Sequence, residues 1–388
     1  MTTGHRRGKL AIVTEAISPY RIPVFNALAK RLGEDLLVLF MSSDGGREWT
    51  VPLSRLHFPY RVLNGLRLSR GLGGSFPRFW NPAIVNHLRD FAPTLTVIGG
   101  YHQPTSYAVW WYAKRWRSKL FLACESNGFY KRPGVAWAKG LKWAFIRTCD
   151  GYIVPGEASA RYLSSFGIDE ERIVVAPNSI DTDVFARLAE TGGELLKNER
   201  RRFQRQWGLP EFNLLFVGRL APEKSPEVAL EVVKRLQRDR LEVGLILIGD
   251  GPLRRQLEAV VQRDRLRHTV FLGFKQPDEL PFYYGLGDLL IHPARSEPWG
   301  LVIHEAMMAG VPVLCSRNVG AAWDLVIEGR TGYLCDAPDD YVHRIRRLIS
   351  DPSHLAAMKE HCRSVAASFS PEACAEGFLR ALEVATNG

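Results

Sequence analysis

The chain has 388 residues, 46% hydrophobic and 24% charged, with a formal net charge of +10. That length exceeds one ordinary core and fits two domains of about 100 to 200 residues each, while the composition excludes a disordered or low-complexity protein. The positive excess is confined to one half: residues 1–180 carry 24 Lys and Arg against 12 Asp and Glu, and residues 181–388 carry 27 against 29.

The start, residues 1–9, is basic, but the apolar run that follows covers only residues 10–13 before Thr14 and Glu15. It reads as a first strand and not as a signal peptide. Strand-like runs follow at 36–40, 95–99, 120–123 and 151–154, then at 213–217, 244–248, 269–272, 289–292 and 311–315. Helical patterns fill the gaps, as at 24–32, 226–239 and 253–265. This alternation predicts crossover units, parallel sheets and an α/β class, with ligands at the carboxyl ends of the strands. No stretch approaches the roughly 18 apolar residues that a spanning helix needs. Cys124, Cys149, Cys315, Cys335, Cys362 and Cys374 show no metal spacing and read as buried thiols of a reducing compartment. The expected location is cytoplasmic, with peripheral attachment to the inner face of a membrane as a variant.

The densest chemistry lies at residues 296–313. Pro298 and Gly300 mark a sharp corner, and a helical pattern runs from Leu301 until Gly310 and Pro312 stop it. Glu297 falls just before this helix and Glu305 inside it. The first-turn N–H groups of Trp299, Gly300 and Leu301 suit a phosphate or sugar oxygen. Upstream, Gly218-Arg219 ends a strand and Lys224 follows in a Pro-containing loop, so that two cations can neutralise a diphosphate leaving group without metal. Gly249 and Gly251 permit close backbone approach. Two carboxylates can also flank a glycosidic bond as acid and nucleophile, but with one on a helix and cations upstream they read as binding groups.

These segments resemble, in the expected order, the motifs of the retaining glycosyltransferases of family 4, the group 1 glycosyl transferases. Glu297 and Glu305 match the family's Glu-x7-Glu, Phe216 to Lys224 its diphosphate loop, and Leu247 to Pro252 its next strand-turn. Leu272-Gly-Phe274, Pro177 to Asp181 and Gly329 to Tyr333 complete the set. The resemblance covers nearly all of the carboxy-terminal half and only the general layout of the other. It implies the GT-B fold, two Rossmann-like doubly wound domains facing a central cleft. The implied division is an acceptor-binding domain over 1–180, a linker over 181–207, a nucleotide-sugar-binding domain over 208–365, and a helix at 366–388 crossing back to the first domain.

The resemblance also implies a UDP, GDP or ADP sugar as donor, with Gly218, Arg219, Lys224 and Gly251 near the diphosphate, Phe274 near the base, Glu297 on the sugar and Glu305 on the ribose. Asp181-Thr-Asp183 looks like a metal-binding Asp-x-Asp but belongs to a structural loop of the family, so no obligatory metal or cofactor is expected. Ser179 stands where the family usually has Gly. Retention is ascribed in the family to same-face departure and attack, and no general base is assigned. Glu125 follows the strand after which many relatives carry a His. It is expected either to serve catalysis, by positioning the acceptor or stabilising oxocarbenium charge, or to be a helix-capping or ion-paired Glu. Tyr20, Arg21, Tyr101 and His102 follow strands and are candidate acceptor contacts; the acceptor is a glycan, a lipid-linked saccharide or a small hydroxylated molecule.

Trp and Tyr interleave with Lys and Arg at residues 110–117 and 131–147, which fits either adsorption to an anionic membrane or helices with aromatic cores and solvated cations. Three other functions stand beside glycosyl transfer: a non-hydrolysing nucleotide-sugar epimerase, disfavoured by the motif order; a basic nucleic-acid-binding protein, for which no RNP, KH or zinc-finger pattern is present; and a degenerate, inactive sugar-binding paralogue, disfavoured by the intact Arg219, Lys224, Glu297 and Glu305. No nucleic-acid partner is expected.

Overall fold

The computed structural model describes residues 8–43, 49–68, 77–129, 136–190 and 193–387. The chain forms two compact units: unit 1 takes Met1–Ser126, Lys131–Ser179 and Pro371–Gly388, and unit 2 takes Asn127–Tyr130 and Ile180–Ser370.

In unit 1 the strands are β1 (Leu10–Ala16), β2 (Leu36–Ser42), β3 (Tyr60–Val62), β4 (Leu66–Leu68), β5 (Arg78–Trp80), β6 (Leu95–Ile98), β7 (Lys119–Ala123), β8 (Gly151–Val154) and β9 (Ile173–Val175). Among the described residues, seven of them form a parallel sheet in the order β3-β2-β1-β6-β7-β8-β9. β4 and β5 pair antiparallel outside it, a departure from the parallel pairing expected throughout. Every residue of β6 and β8 is buried because helices cover both faces, which is why these strands read as unbroken apolar runs. Alternate residues of β1 serve opposite faces: Leu10 and Ile12 join one core cluster, Ala11 and Val13 the other. The helix Pro371–Asn387 completes the first cluster with Cys374, Ala375, Phe378, Ala381, Leu382 and Ala385, at the three-to-four spacing of one helix face. Gly377 lets it close, since a Cβ there would lie 2.5 Å from Ala176 Cα.

Unit 2 contains β10 (Phe212–Val217), β11 (Val243–Ile248), β12 (Thr269–Phe271), β13 (Leu289–His292), β14 (Val313–Cys315) and β15 (Gly332–Leu334). They form a parallel sheet in the order β12-β11-β10-β13-β14-β15. Within the expected linker 181–207, the helices Thr182–Glu190 and Gly193–Trp207 fall in this unit. Asp288, just before β13, ties the second of these to the rest: Arg200 reaches it at 2.6 Å and Lys359 at 3.1 Å.

Both sheets reverse direction of growth at one strand. β1 lies between β2 and β6, and β10 between β11 and β13, and a crevice opens at the carboxyl ends beside such a switch. All six cysteines are buried and free. No helix among the described residues is long and apolar enough to cross a membrane.

Candidate functional site

In unit 2 the carboxyl ends of β10 and β13 present the residues singled out from sequence. Gly218 follows β10 at φ 143°, a conformation that disfavours any side chain even though open space surrounds it. The chain then turns past Arg219 into a short 3-10 helix, Pro222–Lys224. The neighbouring turn is drawn close: Gly218 N–H donates to the Ile248 carbonyl at 2.9 Å and Leu220 N–H to that of Asp250 at 2.9 Å. A Cβ on Gly249 would sit 2.0 Å from the Gly218 carbonyl oxygen, and one on Gly251 would sit 2.5 Å from that of Leu220. These glycines thus serve the approach of backbone to backbone. Gly249 N–H also donates to Gly273 at 2.8 Å, which sets the exposed Phe274 beside the same turn.

After β13 the chain makes the expected corner and enters the helix Leu301–Met308, with Gly300 at φ 100° as its N-cap. Backbone bonds hold the corner from two sides. The Glu223 carbonyl accepts from Arg295 N–H at 2.9 Å, and Glu297 N–H donates to the Asn318 carbonyl at 3.0 Å while its own carbonyl accepts from Gly320 at 3.0 Å. A side chain on Gly320 would meet the Pro298 carbonyl at 2.0 Å. Asn127, assigned to the same unit, donates its Nδ2 to the Glu297 and Pro298 carbonyls at 2.7 and 3.1 Å.

This bracing places the Lys224 ammonium in an ion pair with the Glu297 carboxylate. Burial pushes Lys224 down to about 8, with Glu223 acting in the opposite direction; Glu297, in contact, also favours the charged form. Arg219 is the open cation, 56% exposed and 4.0 Å from Glu223. Among the described residues the N–H groups of Trp299, Gly300 and Leu301 have no protein acceptor, while the Trp299 side chain itself is buried against Phe369. Glu305 is only 2% exposed, and its Oε2 accepts from the Tyr284 hydroxyl at 2.8 Å. Sequence reasoning missed Tyr284, Gly320 and one further residue, His292. The imidazole of His292 is fully buried at the end of β13, with Nε2 3.5 Å from Glu297 Oε2. For residue 320, the glycine itself, five residues beyond β14, is the signal that could have found it.

In unit 1 the candidate residues form two pairs at the carboxyl end of the sheet. Arg21 binds Glu125 at 2.6 Å, and Asn178 Nδ2 also donates to that carboxylate at 3.4 Å. His102 lies 2.5 Å from Glu15, which Gln103 holds at 3.1 Å. Tyr20 packs edge-on against Trp49, and Tyr101 carries the Lys142 ammonium 5.0 Å from its ring centre. Glu125 is thus ion-paired to Arg21, a contact compatible with either expectation for it. Pro23 lies in the first turn of the helix Ile22–Leu32. Asp183 opens the helix Thr182–Glu190, and Ser179 is buried with its Oγ unpartnered. Among the described residues no three His, Cys, Asp or Glu groups converge as metal ligands. Of the second aromatic and cationic segment, residues 131–135 and the side chains of 136–139 and 141 lie outside the described residues.

Comparison with known proteins follows the same division. The family model for glycosyl transferases group 1 matches residues 197–365, and that for glycosyltransferase family 4 matches residues 26–184. A GDP-mannose-dependent alpha-mannosyltransferase of Mycolicibacterium smegmatis is 28% identical over 84% of this chain and 84% of its own. A D-inositol 3-phosphate glycosyltransferase of Rhodococcus jostii is 32% identical over 59% of this chain. The chain spans about half the length of that relative and of the other curated relatives above 30% identity. Among solved structures, Anabaena HepE in complex with UDP superposes with a TM-score of 0.77 at 19% identity, covering 97% of this chain and all of that one. WaaG, involved in lipopolysaccharide biosynthesis, superposes with a TM-score of 0.67 at 18% identity over 98% of this chain and 100% of its own. With both units of parallel α/β type and both halves matched by its models, the chain belongs to the GT-B glycosyltransferases of family 4, the group 1 glycosyl transferases.

Proposed function

We propose that this protein transfers a sugar, with retention and without an obligatory metal, from a nucleoside diphosphate sugar to a hydroxyl of a glycan, a lipid-linked saccharide or a small molecule. The observation that carries the reading is the convergence of Lys224, Glu297 and the open N–H groups of residues 299–301 at the switch point of the second sheet. Lys224, Arg219 and the helix amino terminus would meet the charge that develops on the departing diphosphate. Glu297 would accept hydrogen bonds from sugar hydroxyls and Glu305 from the ribose, roles open to a carboxylate that only accepts. Phe274, exposed beside the Gly249 turn, would lie near the base. In unit 1, Tyr20, Arg21, Tyr101, His102 and Glu125 would present the acceptor. The Arg21 pairing suits Glu125 to orienting a hydroxyl, since the guanidinium keeps the carboxylate in place.

Calorimetric titration with UDP, GDP and ADP tests the donor site, with and without EDTA, on wild type and on Arg219→Ala/Lys224→Ala. Micromolar, EDTA-insensitive binding of one nucleotide that is lost in the variant supports it. No binding of any nucleotide removes it.

Peripheral membrane contact is the second part of the proposal. Trp111, Trp116 and Trp143 are exposed, and the Arg115 and Arg147 guanidinium groups stand 5.4 and 4.4 Å from the rings of Trp116 and Trp143. Aromatic rings flanked by cations suit the headgroup region of an anionic bilayer. Cosedimentation with phosphatidylglycerol vesicles but not phosphatidylcholine vesicles, weakened by Trp111→Ala/Trp116→Ala/Trp143→Ala, is the expected result; equal recovery with both lipids counts against it.

A further inference from the structure

His292 has no place in the scheme above, yet its surroundings are unusual. It is the last residue of β13, completely buried, and neither ring nitrogen has a hydrogen-bond partner. Buried polar atoms are rarely left in this state, because each forfeits its hydration without compensation. The nearest charged oxygen is Glu297 Oε2, 3.5 Å from Nε2, just beyond hydrogen-bond range. That same oxygen is engaged by the Lys224 ammonium.

The three side chains therefore compete for one point. Burial, aided by the Lys224 charge, holds the imidazole neutral and down to about 3, so it offers one N–H and one bare nitrogen. Facing a carboxylate, which only accepts, the proton belongs on Nε2. A small movement of Glu297 turns the 3.5 Å approach into a hydrogen bond, and the attraction of Lys224 opposes that movement.

We propose that His292 is the positioning residue that takes over Glu297 when donor binding draws Lys224 to the diphosphate. This rests on the donor-site reading and deepens it. Lys224 and Glu297 neutralise each other as the pair stands. A diphosphate offers the ammonium a more highly charged partner, and Glu297, released from it, is steadied by the Nε2–H of His292 with its outer oxygen directed to the sugar hydroxyls. The imidazole touches neither sugar nor phosphate; it acts through the carboxylate.

The test separates sugar recognition from diphosphate recognition. Dissociation constants are measured for UDP, GDP and ADP and for UDP-glucose, GDP-mannose and ADP-glucose, on wild type, His292→Phe and His292→Gln, with thermal melting of each. The nucleotide that binds wild type is used throughout. Expected is a loss of about tenfold or more in affinity for the nucleotide sugar in His292→Phe, with nucleoside diphosphate affinity within about twofold of wild type, and recovery of most of the loss in His292→Gln, whose amide can donate. Equal losses for nucleotide and nucleotide sugar in both variants, following a lowered melting temperature, would mean that His292 is only part of the core and overturns the proposal. So does wild-type affinity in His292→Phe. Failure of wild type to bind any of the six compounds overturns the donor site itself.

Discussion

The Lys224 ammonium lies against the Glu297 carboxylate, so on the proposed donor-site reading each is the group that the other's ligand must displace. The pair is mostly sheltered from solvent, with side-chain exposures of 20% and 13%. Loss of one partner leaves the other poorly hydrated. Lys224→Ala should lower the unfolding free energy by about 1–3 kcal/mol, and Lys224→Ala/Glu297→Ala should lose less than the two single changes combined. Urea denaturation of the four proteins gives the coupling, expected at about 0.5 kcal/mol or more for side chains in contact. Additive losses would show the pair to be energetically idle.

Donor affinity should depend on pH through Lys224. Its ammonium is depressed by burial to about 8, so the charge is present at pH 7 and is lost as pH rises past 8. Binding of the intact nucleotide sugar, whose diphosphate diester does not titrate in this range, should be level below about pH 7 and then weaken by up to about tenfold per pH unit above 8. Lys224→Arg keeps its charge across this range and should flatten the profile. A fall of equal steepness in that variant assigns the titration to another group.

Gly249 tests the turn without removing a charged group. Its φ of 129° and the 2.0 Å approach of a Cβ to the Gly218 carbonyl mean that Gly249→Ala must move the Gly218-Arg219 backbone. Nucleotide affinity should fall by about tenfold or more while the sheet persists by far-ultraviolet circular dichroism. Wild-type affinity would detach this loop from the donor site.

Gly377 offers the converse case. A Cβ there meets Ala176 Cα at 2.5 Å, backbone that cannot rotate away, so Gly377→Ala should destabilise unit 1 by about 1–3 kcal/mol. Nucleotide binding at 25 °C should stay within about twofold of wild type, because the donor candidates lie in unit 2.

The parallel strands were legible because burial on both faces demands continuous apolar runs, as in β8 and β13. Of the three-residue strands, β12 and β14 were legible as apolar runs, whereas β3 has Arg61 at its centre and β9, though Ile-Val-Val, is short and partly exposed. At the site, Pro298, Gly300 and Gly218 announced the turns, and the charged residues at their ends followed. Other features were closed to sequence. The bracing by Asn318 runs through its backbone carbonyl, which leaves little mark on residue type. His292 sits inside an apolar run, where nothing distinguishes a satisfied core imidazole from an unpartnered one. Glu305 follows helical spacing that suits a surface residue equally well, and only the position of Tyr284 reveals it as buried.

The helix Pro371–Asn387 gives the order of synthesis a role in folding. Unit 2 is almost wholly one stretch of chain, Ile180–Ser370, whereas unit 1 needs residues from both sides of it. While the ribosome is still making unit 2, Leu28, Phe25 and their neighbours have no Phe378 or Leu382 to cover them. Unit 1 must therefore wait with an open apolar face, exposed to chaperones and to aggregation, and closes last although most of it is translated first.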